Sequence, residues 1–312
     1  MNSTIVSEFI LLGFPMAPHL RIFSLCLILL SYTFTVMGNL VIIYLVFSDT
    51  RLHFPMYYFL CNLAVMDICF INTVVPGMLK GFLHQGVHIS LGSCLTQFFV
   101  YFLVGTAEFF LFAVMSFDRY LAICHPLRYP MVMHRYMCIQ LIAGLWLGSF
   151  STIVLPCVLT FKLKFCNNLI DNFFCDASPL LKNSCTDTTM IELLSLLGAS
   201  TLYISVLVTL ISYFKIVLAT LKIKAGDGRG KAFSTCSSHA IVVTLIYSSC
   251  IFLYAKPAKG QGANLNKKVA ILNTVVVPLL NPFIYTLRNQ TVRRSLSDIL
   301  LSYSKTRKSH VK

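Results

Sequence analysis

Formal charge is nearly absent from seven long stretches of this chain: Ile22 to Ser48, Phe54 to Leu79, Ile89 to Phe117, Tyr136 to Phe161, Leu193 to Phe214, Ala232 to Ala255 and Val269 to Leu287. Each comes close to or exceeds the ~20 residues that an α-helix needs to cross the hydrocarbon of a bilayer. The only carboxylates inside them are Asp67 and Glu108. Only 12% of the 312 residues are charged and mean hydropathy is +0.77, whereas a soluble domain carries about twice that charged fraction. The fold class is therefore an all-α membrane protein, a seven-transmembrane helix bundle. Its helices are expected near 22–48, 54–80, 89–122, 136–161, 190–222, 231–255 and 265–287, with 1–21 an exposed tail.

Basic residues orient the bundle. Lys and Arg concentrate at Arg51, at Arg119, Arg128 and Arg135, from Lys215 to Lys231 and from Arg288 onward. These segments all fall on one side if the N-terminus is outside, so the positive-inside rule favours N-out and C-in; Arg21 and the lysines from Lys256 to Lys268 pull mildly the other way. The net charge of +14 reflects this topology and an anionic inner leaflet, and its dispersal among loops argues against nucleic acid as a partner. From Arg288, basic and apolar residues alternate as expected of a short amphipathic helix on the membrane surface, with lipid as its partner. No basic segment followed by a short apolar one precedes the first span, so that span is expected to target itself.

Several polar residues sit where lipid makes them costly. Asp67 is near the middle of the second span and Glu108 lies in the third, about 16 Å from Arg119 at 1.5 Å per residue. Asp118-Arg119-Tyr120 stands where the third span leaves the membrane, and an adjacent acid can hold the guanidinium until a partner competes for it. Pro278, Asn281 and Pro282 make the seventh span a bent, adjustable helix, and His239 in the sixth lacks a companion that would make it a metal ligand. Trp146, between Gly144 and Gly148, suits close helix packing. Of twelve cysteines, Cys94 sits at the outer mouth of the third span and Cys166, Cys175 and Cys185 fall in the long loop before the fifth, on the side where disulfides persist; three pairings are possible. The long loop from Lys162 to Thr189 has the length of a functional lid. Asn2-Ser3-Thr4 is a glycosylation acceptor if outside, whereas Asn289-Gln290-Thr291 would be silent inside.

Together these residues resemble the rhodopsin-like G-protein-coupled receptors, and within them the odorant receptors. The superfamily landmarks are Asn39, Asp67, Asp118-Arg119-Tyr120, Trp146 and Asn281-Pro282-Phe283-Ile284-Tyr285. The narrower resemblance rests on Leu52-His53-Phe54-Pro55-Met56-Tyr57, Met115 through Leu127, Ser212-Tyr213 and Lys231 through His239, and covers almost the whole chain. Ser116-Phe117 replaces the usual Ala-Tyr, and Ala64 the usual Ser, departures that bear on basal activity. The resemblance implies a plasma-membrane receptor for a small odorant that couples to the stimulatory olfactory G protein and raises cyclic AMP. It also implies the pairings Cys94 with Cys175 and Cys166 with Cys185.

On this footing the odorant pocket is expected in the outer halves of the third, fifth and sixth spans. Helical stripes there are Tyr101, Phe102, Gly105, Thr106 and Phe109; Gly198, Thr201, Leu202 and Ser205; and Tyr247, Cys250, Ile251 and Tyr254. None is charged, and Tyr101 stands where amine receptors carry an acid, so the ligand is expected to be neutral or weakly polar. Coupling and activation are expected to use Asp118, Arg119, Tyr120, Tyr213, His239, Asn281, Pro282 and Tyr285. Asp67 and Glu108, with Asn281 nearby, are expected to share one cation, Na⁺ or a proton, and no other metal or cofactor is expected. A sensor of an endogenous metabolite outside the nose is the alternative within the class. A proton-coupled transporter or channel is the alternative outside it, disfavoured by the odd number of helices, the short cytoplasmic loops and the lack of an inverted repeat. No enzyme motif of the metalloprotease, serine-hydrolase or P-loop kind occurs.

Overall fold

The computed structural model describes residues 6–84, 86–222, 227–254, 263–287 and 289–309. Its long helices are α1 (Pro18–Ser48), α2 (Pro55–Leu83), α3 (Leu91–Cys124), α5 (Arg135–Phe161), α7 (Thr189–Lys222) and α8 (Asp227–Tyr254). The seventh span is α9 (Ala263–Ile271), a wide π-helical turn (Leu272–Val276) and α10 (Val277–Leu287). Short helices α4 (Tyr129–Val132) and α6 (Ala177–Lys182) lie in connections, and α11 (Gln290–Ser309) follows the bundle. Among the described residues, α1, α2, α3, α5, α7 and the segment Leu265–Ile284 are long and apolar enough to cross a membrane, while α8 contributes a shorter apolar helix, His239–Tyr254. This is the architecture of a multi-pass bundle with a C-terminal helix.

Local chemistry starts these helices. Prolines occupy the first turn of α1 and α2, where a missing N–H costs nothing. Ser90 caps α3 through the Ser93 N–H at 3.2 Å, and His134 Nδ1 does the same for α5. In α2, α3 and Leu265–Ile284 of the seventh span, 56%, 44% and 50% of the apolar stretch is buried, against 22% in α1 and α5, so those three are the most central of these spans. The outward faces of α1 and α7 carry Phe23, Phe47, Leu196, Leu207 and Phe214, suited to lipid. At Gly38 the bare backbone lets α1 touch α10, since an added Cβ would stand 2.9 Å from Pro282 Cβ.

The wide turn in the seventh span precedes Pro278, which has no N–H for the carbonyl four residues back and crowds it. The prolines on which the expected bend rests thus follow directly on the wide turn.

One end of the bundle carries a three-stranded sheet in the order β2 (Val87–Ser90), β1 (Glu8–Leu11), β3 (Leu169–Ile170). Strand β1 runs antiparallel to β2, pairing Glu8 with Ser90 and Leu11 with Val87, and parallel to β3. This corrects the expectation of an exposed N-terminal tail: Phe9 and Leu11 are 0% and 2% exposed, packed with Phe165, Ile170 and Leu180. Alternate apolar residues on a strand bury one face once a sheet edge is offered. Cys94 is bonded to Cys175 and Cys166 to Cys185 at this end. The first ties the loop before α7 to the mouth of α3.

At the opposite end α11 folds back on the turn after α1. Arg51 bridges Asp49 and Asp298 at 2.8 Å each, and its guanidinium holds the Asp49 carboxyl well below the usual carboxylate range. Asn289 Oδ1 accepts the N–H groups of Thr291 and Val292 and the Tyr57 hydroxyl, so this acceptor asparagine serves as a helix cap. Asn2 lies outside the described residues.

Candidate functional site

At the disulfide end, an aromatic cluster closes the space between α3 and α8. Tyr101 is 5% exposed and packs against Phe70 of α2, its neighbour Phe102, and Phe174 from the loop, with centroids 4.7–5.2 Å apart. Its hydroxyl meets that of Tyr254 at 3.2 Å, and Phe102 lies edge-on to Tyr254 at 5.9 Å. An aromatic set of this kind offers π faces and two hydroxyls to a small apolar ligand. Gly105 turns towards α2, where an added Cβ would meet Phe70 at 3.7 Å. Thr106 is buried, and Ile251 packs on the core from α8.

One residue of this cluster escaped the sequence reading. Asp176, next to disulfide-bonded Cys175, accepts the Ala177 N–H at 2.8 Å and lies near the Tyr254 hydroxyl. Burial pushes its carboxyl up to about 6, against those two donors. An acid beside a cysteine fixed to the third span was the available signal; the helix cap it forms on α6 made it look purely local.

Deeper, a ladder of hydroxyls joins α3, α7 and α8. Ser205 hydrogen-bonds the Phe109 carbonyl and the Tyr247 hydroxyl, Thr209 meets Tyr247 at 3.2 Å, and Ser116 reaches Thr209 at 3.3 Å. Phe109 lies 6.2 Å from the Tyr247 ring, Leu202 is buried, and Thr201 returns its hydroxyl to the Gly198 carbonyl. Gly198 itself departs from the expected pocket. An added Cβ would meet Thr152 of α5 at 3.6 Å, because one helical stripe is wider than the face that α3 covers. Beside the ladder, Ser249 donates to Asn273 Oδ1 at 2.5 Å, and Asn273 Nδ2 donates to Cys250 at 3.4 Å.

At mid-bundle, Asn281 Nδ2 donates to both oxygens of Asp67, at 3.0 and 3.1 Å. Glu108 is half-buried on α3, next to the fully buried Ala107. The Oδ1 atoms of Asn39 and Asn281, both residues 1% exposed, have no hydrogen-bond partner among the described residues. No group of three His, Cys, Asp or Glu side chains suited to a metal occurs among the described residues. Trp146 packs on this region and donates to Asn62 Oδ1 at 3.2 Å.

The end opposite the disulfides holds the latch. Arg119 donates to Asp118 Oδ2 at 2.8 Å, and Tyr129 of α4 donates to Oδ1 at 2.8 Å. Asp118 is 1% exposed, so both its oxygens are matched in a dry site. Burial and the Asp118 charge hold the Tyr129 phenol above its ordinary value. Tyr213 on α7 hydrogen-bonds His239 Nδ1 on α8, joining the two helices that flank Arg119. Tyr120 hydrogen-bonds His125 at 2.9 Å and carries the Lys215 ammonium over its ring. Pro282 lies against Gly38, and the Tyr285 side chain lies outside the described residues.

Comparison with known proteins agrees with this layout. A family model described as olfactory receptor matches residues 25–303. Mouse olfactory receptor 6E1 is 46% identical over 307 residues, covering 97% of this chain and 98% of that receptor. Human olfactory receptor 6C76 is 45% identical over 311 residues, 99% of each chain, and human olfactory receptor 6S1 is 44% identical over 301 residues, 96% of this chain and 91% of that one.

Proposed function

Because the chain belongs to the olfactory receptor family of rhodopsin-like G-protein-coupled receptors, and is not an enzyme, we propose that it binds one class of small neutral volatile and signals through the stimulatory olfactory G protein to raise cyclic AMP. The N-terminus is outside and the C-terminus inside the plasma membrane, as the distribution of basic residues favours. The supporting observation is that α3 and α8 each run between the aromatic cluster at one end of the bundle and the Asp118-Arg119 pair at the other. Tyr101 and Tyr254 meet at the disulfide end, while Arg119 and His239 lie at the other.

The odorant sits among Tyr101, Phe102, Phe109, Tyr247 and Tyr254, hydrogen-bonded to a tyrosine hydroxyl. Asp176 already has the Ala177 N–H and the nearby Tyr254 hydroxyl, so no cation is needed to balance it. At about 0.6 kcal/mol per atom, a ten-atom odorant binds near −6 kcal/mol, tens of micromolar. A ligand that prefers the state in which α8 has moved away from α3 weakens the Tyr213 to His239 contact and frees Arg119 for the G protein. The two carboxylate oxygens of Asp67 and the unpartnered Oδ1 atoms of Asn39 and Asn281 suit a single Na⁺ or proton, with Glu108 as the second acid.

The test is a cyclic AMP screen of cells expressing the chain against a chemically broad odorant panel, repeated with Arg119→Ala at matched surface expression. The expected result is a micromolar response to neutral odorants that the variant loses. A protonated amine as best agonist, nanomolar potency, or normal signalling by Arg119→Ala would overturn the reading.

A further inference from the structure

Lys267 is a buried cation outside both the ligand cluster and the latch. It lies on α9 with its side chain 3% exposed, and its ammonium donates to the Gly13 carbonyl at 2.8 Å and to Asp171 Oδ1 at 2.5 Å. The Phe14 ring lies 5.9 Å from the same ammonium. Two strong acceptors and a π face are a full environment for an ammonium removed from water. The chain is shaped to provide it. Gly13 adopts φ +60°, a backbone state that side chains resist, and this turn aims its carbonyl at α9. Leu12 and Gly13 donate their N–H groups to Ile170 and Asn172, and Phe14 stacks on Phe82 and Phe173. One lysine thereby joins the N-terminal segment, the loop before α7, and the seventh span.

Below α9 comes the wide turn Leu272–Val276. A π turn has poorer hydrogen-bond geometry than an α turn and persists where tertiary contacts fix the helix on both sides. Below it, Asn281 is fixed to Asp67; within it, Asn273 is fixed to Ser249 and Cys250. Above it, Lys267 is the buried polar anchor. Relaxing one π turn to α removes a residue from the turn and swings Asn273 by about 100° around the helix, away from α8.

We propose that residues 8–14, clasped by Lys267 and Asp171, form a strap that holds the seventh span in its π register, so that the N-terminal segment controls the contact between Asn273 and α8. A partner that lifts the strap, or an agonist that displaces it, would change the packing of the sixth and seventh spans without touching the latch.

Hydrogen–deuterium exchange of the full chain in detergent micelles tests this, comparing Lys267→Met, Lys267→Arg and Asp171→Ala with wild type. Asp171 is 58% exposed, so its variant keeps the fold if Lys267→Met does not. Lys267→Met and Asp171→Ala should each speed exchange of amides 8–13 and of 272–276 by about tenfold or more, the scale set by one charge-assisted hydrogen bond. Lys267→Arg, which keeps the charge, should stay closer to wild type. Faster exchange of 8–13 with 272–276 unchanged would reduce the strap to a cover and overturn the proposal. Uniform acceleration through α3 and α7 in Asp171→Ala would overturn it as well. No odorant or G protein enters the measurement, so its outcome is separate from that of the signalling reading.

Discussion

Asp118 uses one carboxylate oxygen on Arg119 and the other on Tyr129, so the latch has two holders and only the first was visible in the Asp118-Arg119-Tyr120 tripeptide. Tyr129→Phe removes one buried donor, which costs about 1–3 kcal/mol in the resting state. Basal cyclic AMP at matched surface expression should rise; an unchanged basal level would leave Tyr129 outside the latch. The Ser116 hydroxyl returns to the Phe112 carbonyl and reaches Thr209. Asp176 titrates in an accessible range. Its folded value of about 6 lies above the ordinary 3.8, so the native state binds the proton more tightly. Stability from this group is therefore greatest at or below about pH 4, falls as pH rises towards about 6, and is level above that. Thermal unfolding in detergent should show a higher midpoint at pH 4.5 than at pH 7 relative to Asp176→Asn. A pH dependence identical in the variant would assign the effect elsewhere.

Among the elements, what the sequence revealed followed from the bilayer. A helix in hydrocarbon must exclude charge for its whole length, so gaps between charges marked α1, α2, α3, α5, α7, α8 and the α9–α10 span directly, while the short α4 and α6 left no such gap. Strand β1 gave no such mark. Glu8 to Leu11 is short, and its partners lie at Val87–Ser90 and Leu169–Ile170, far along the chain. The rotation of a helix was half legible: periodicity found the face of α7 bearing Leu202 and Ser205 but could not say that Gly198 turns to α5. Gly38 was legible only as the neighbour of Asn39. Its role is to admit the Pro282 ring, which has no flexible end to move aside. Gly38→Ala should therefore destabilise the packing of α1 on α10 by about 1–3 kcal/mol. A lowered thermal midpoint in detergent checks this; a wild-type midpoint would mean that the helices separate there without cost.

Across the whole molecule, a polar centre lies between the aromatic cluster at the disulfide end and the Asp118-Arg119 pair at the other. Asn281 binds Asp67 from the seventh span, and Glu108 is the second acid, on the third. Two ionised carboxylates this deep would repel each other without water to screen them, so the centre is expected to hold one shared Na⁺ or proton. The unpartnered Oδ1 atoms of Asn39 and Asn281 supply further oxygen donors of the kind a hard cation prefers. Such a cation would tie α1, α2, α3 and α10 together and favour the resting arrangement. Removing it should shift the population towards activity by no more than its differential affinity for the two states, about 1–3 kcal/mol. Glu108→Gln removes one acid while keeping its shape. At matched surface expression it should raise basal cyclic AMP and flatten the response of basal activity to sodium and pH. The same titrations on the wild type separate the two cations, since Na⁺ acts at constant pH and a proton at constant sodium. Basal and evoked signalling indifferent to the substitution and to both titrations would show that the acids are neutral, hydrogen-bonded core groups with no part in switching.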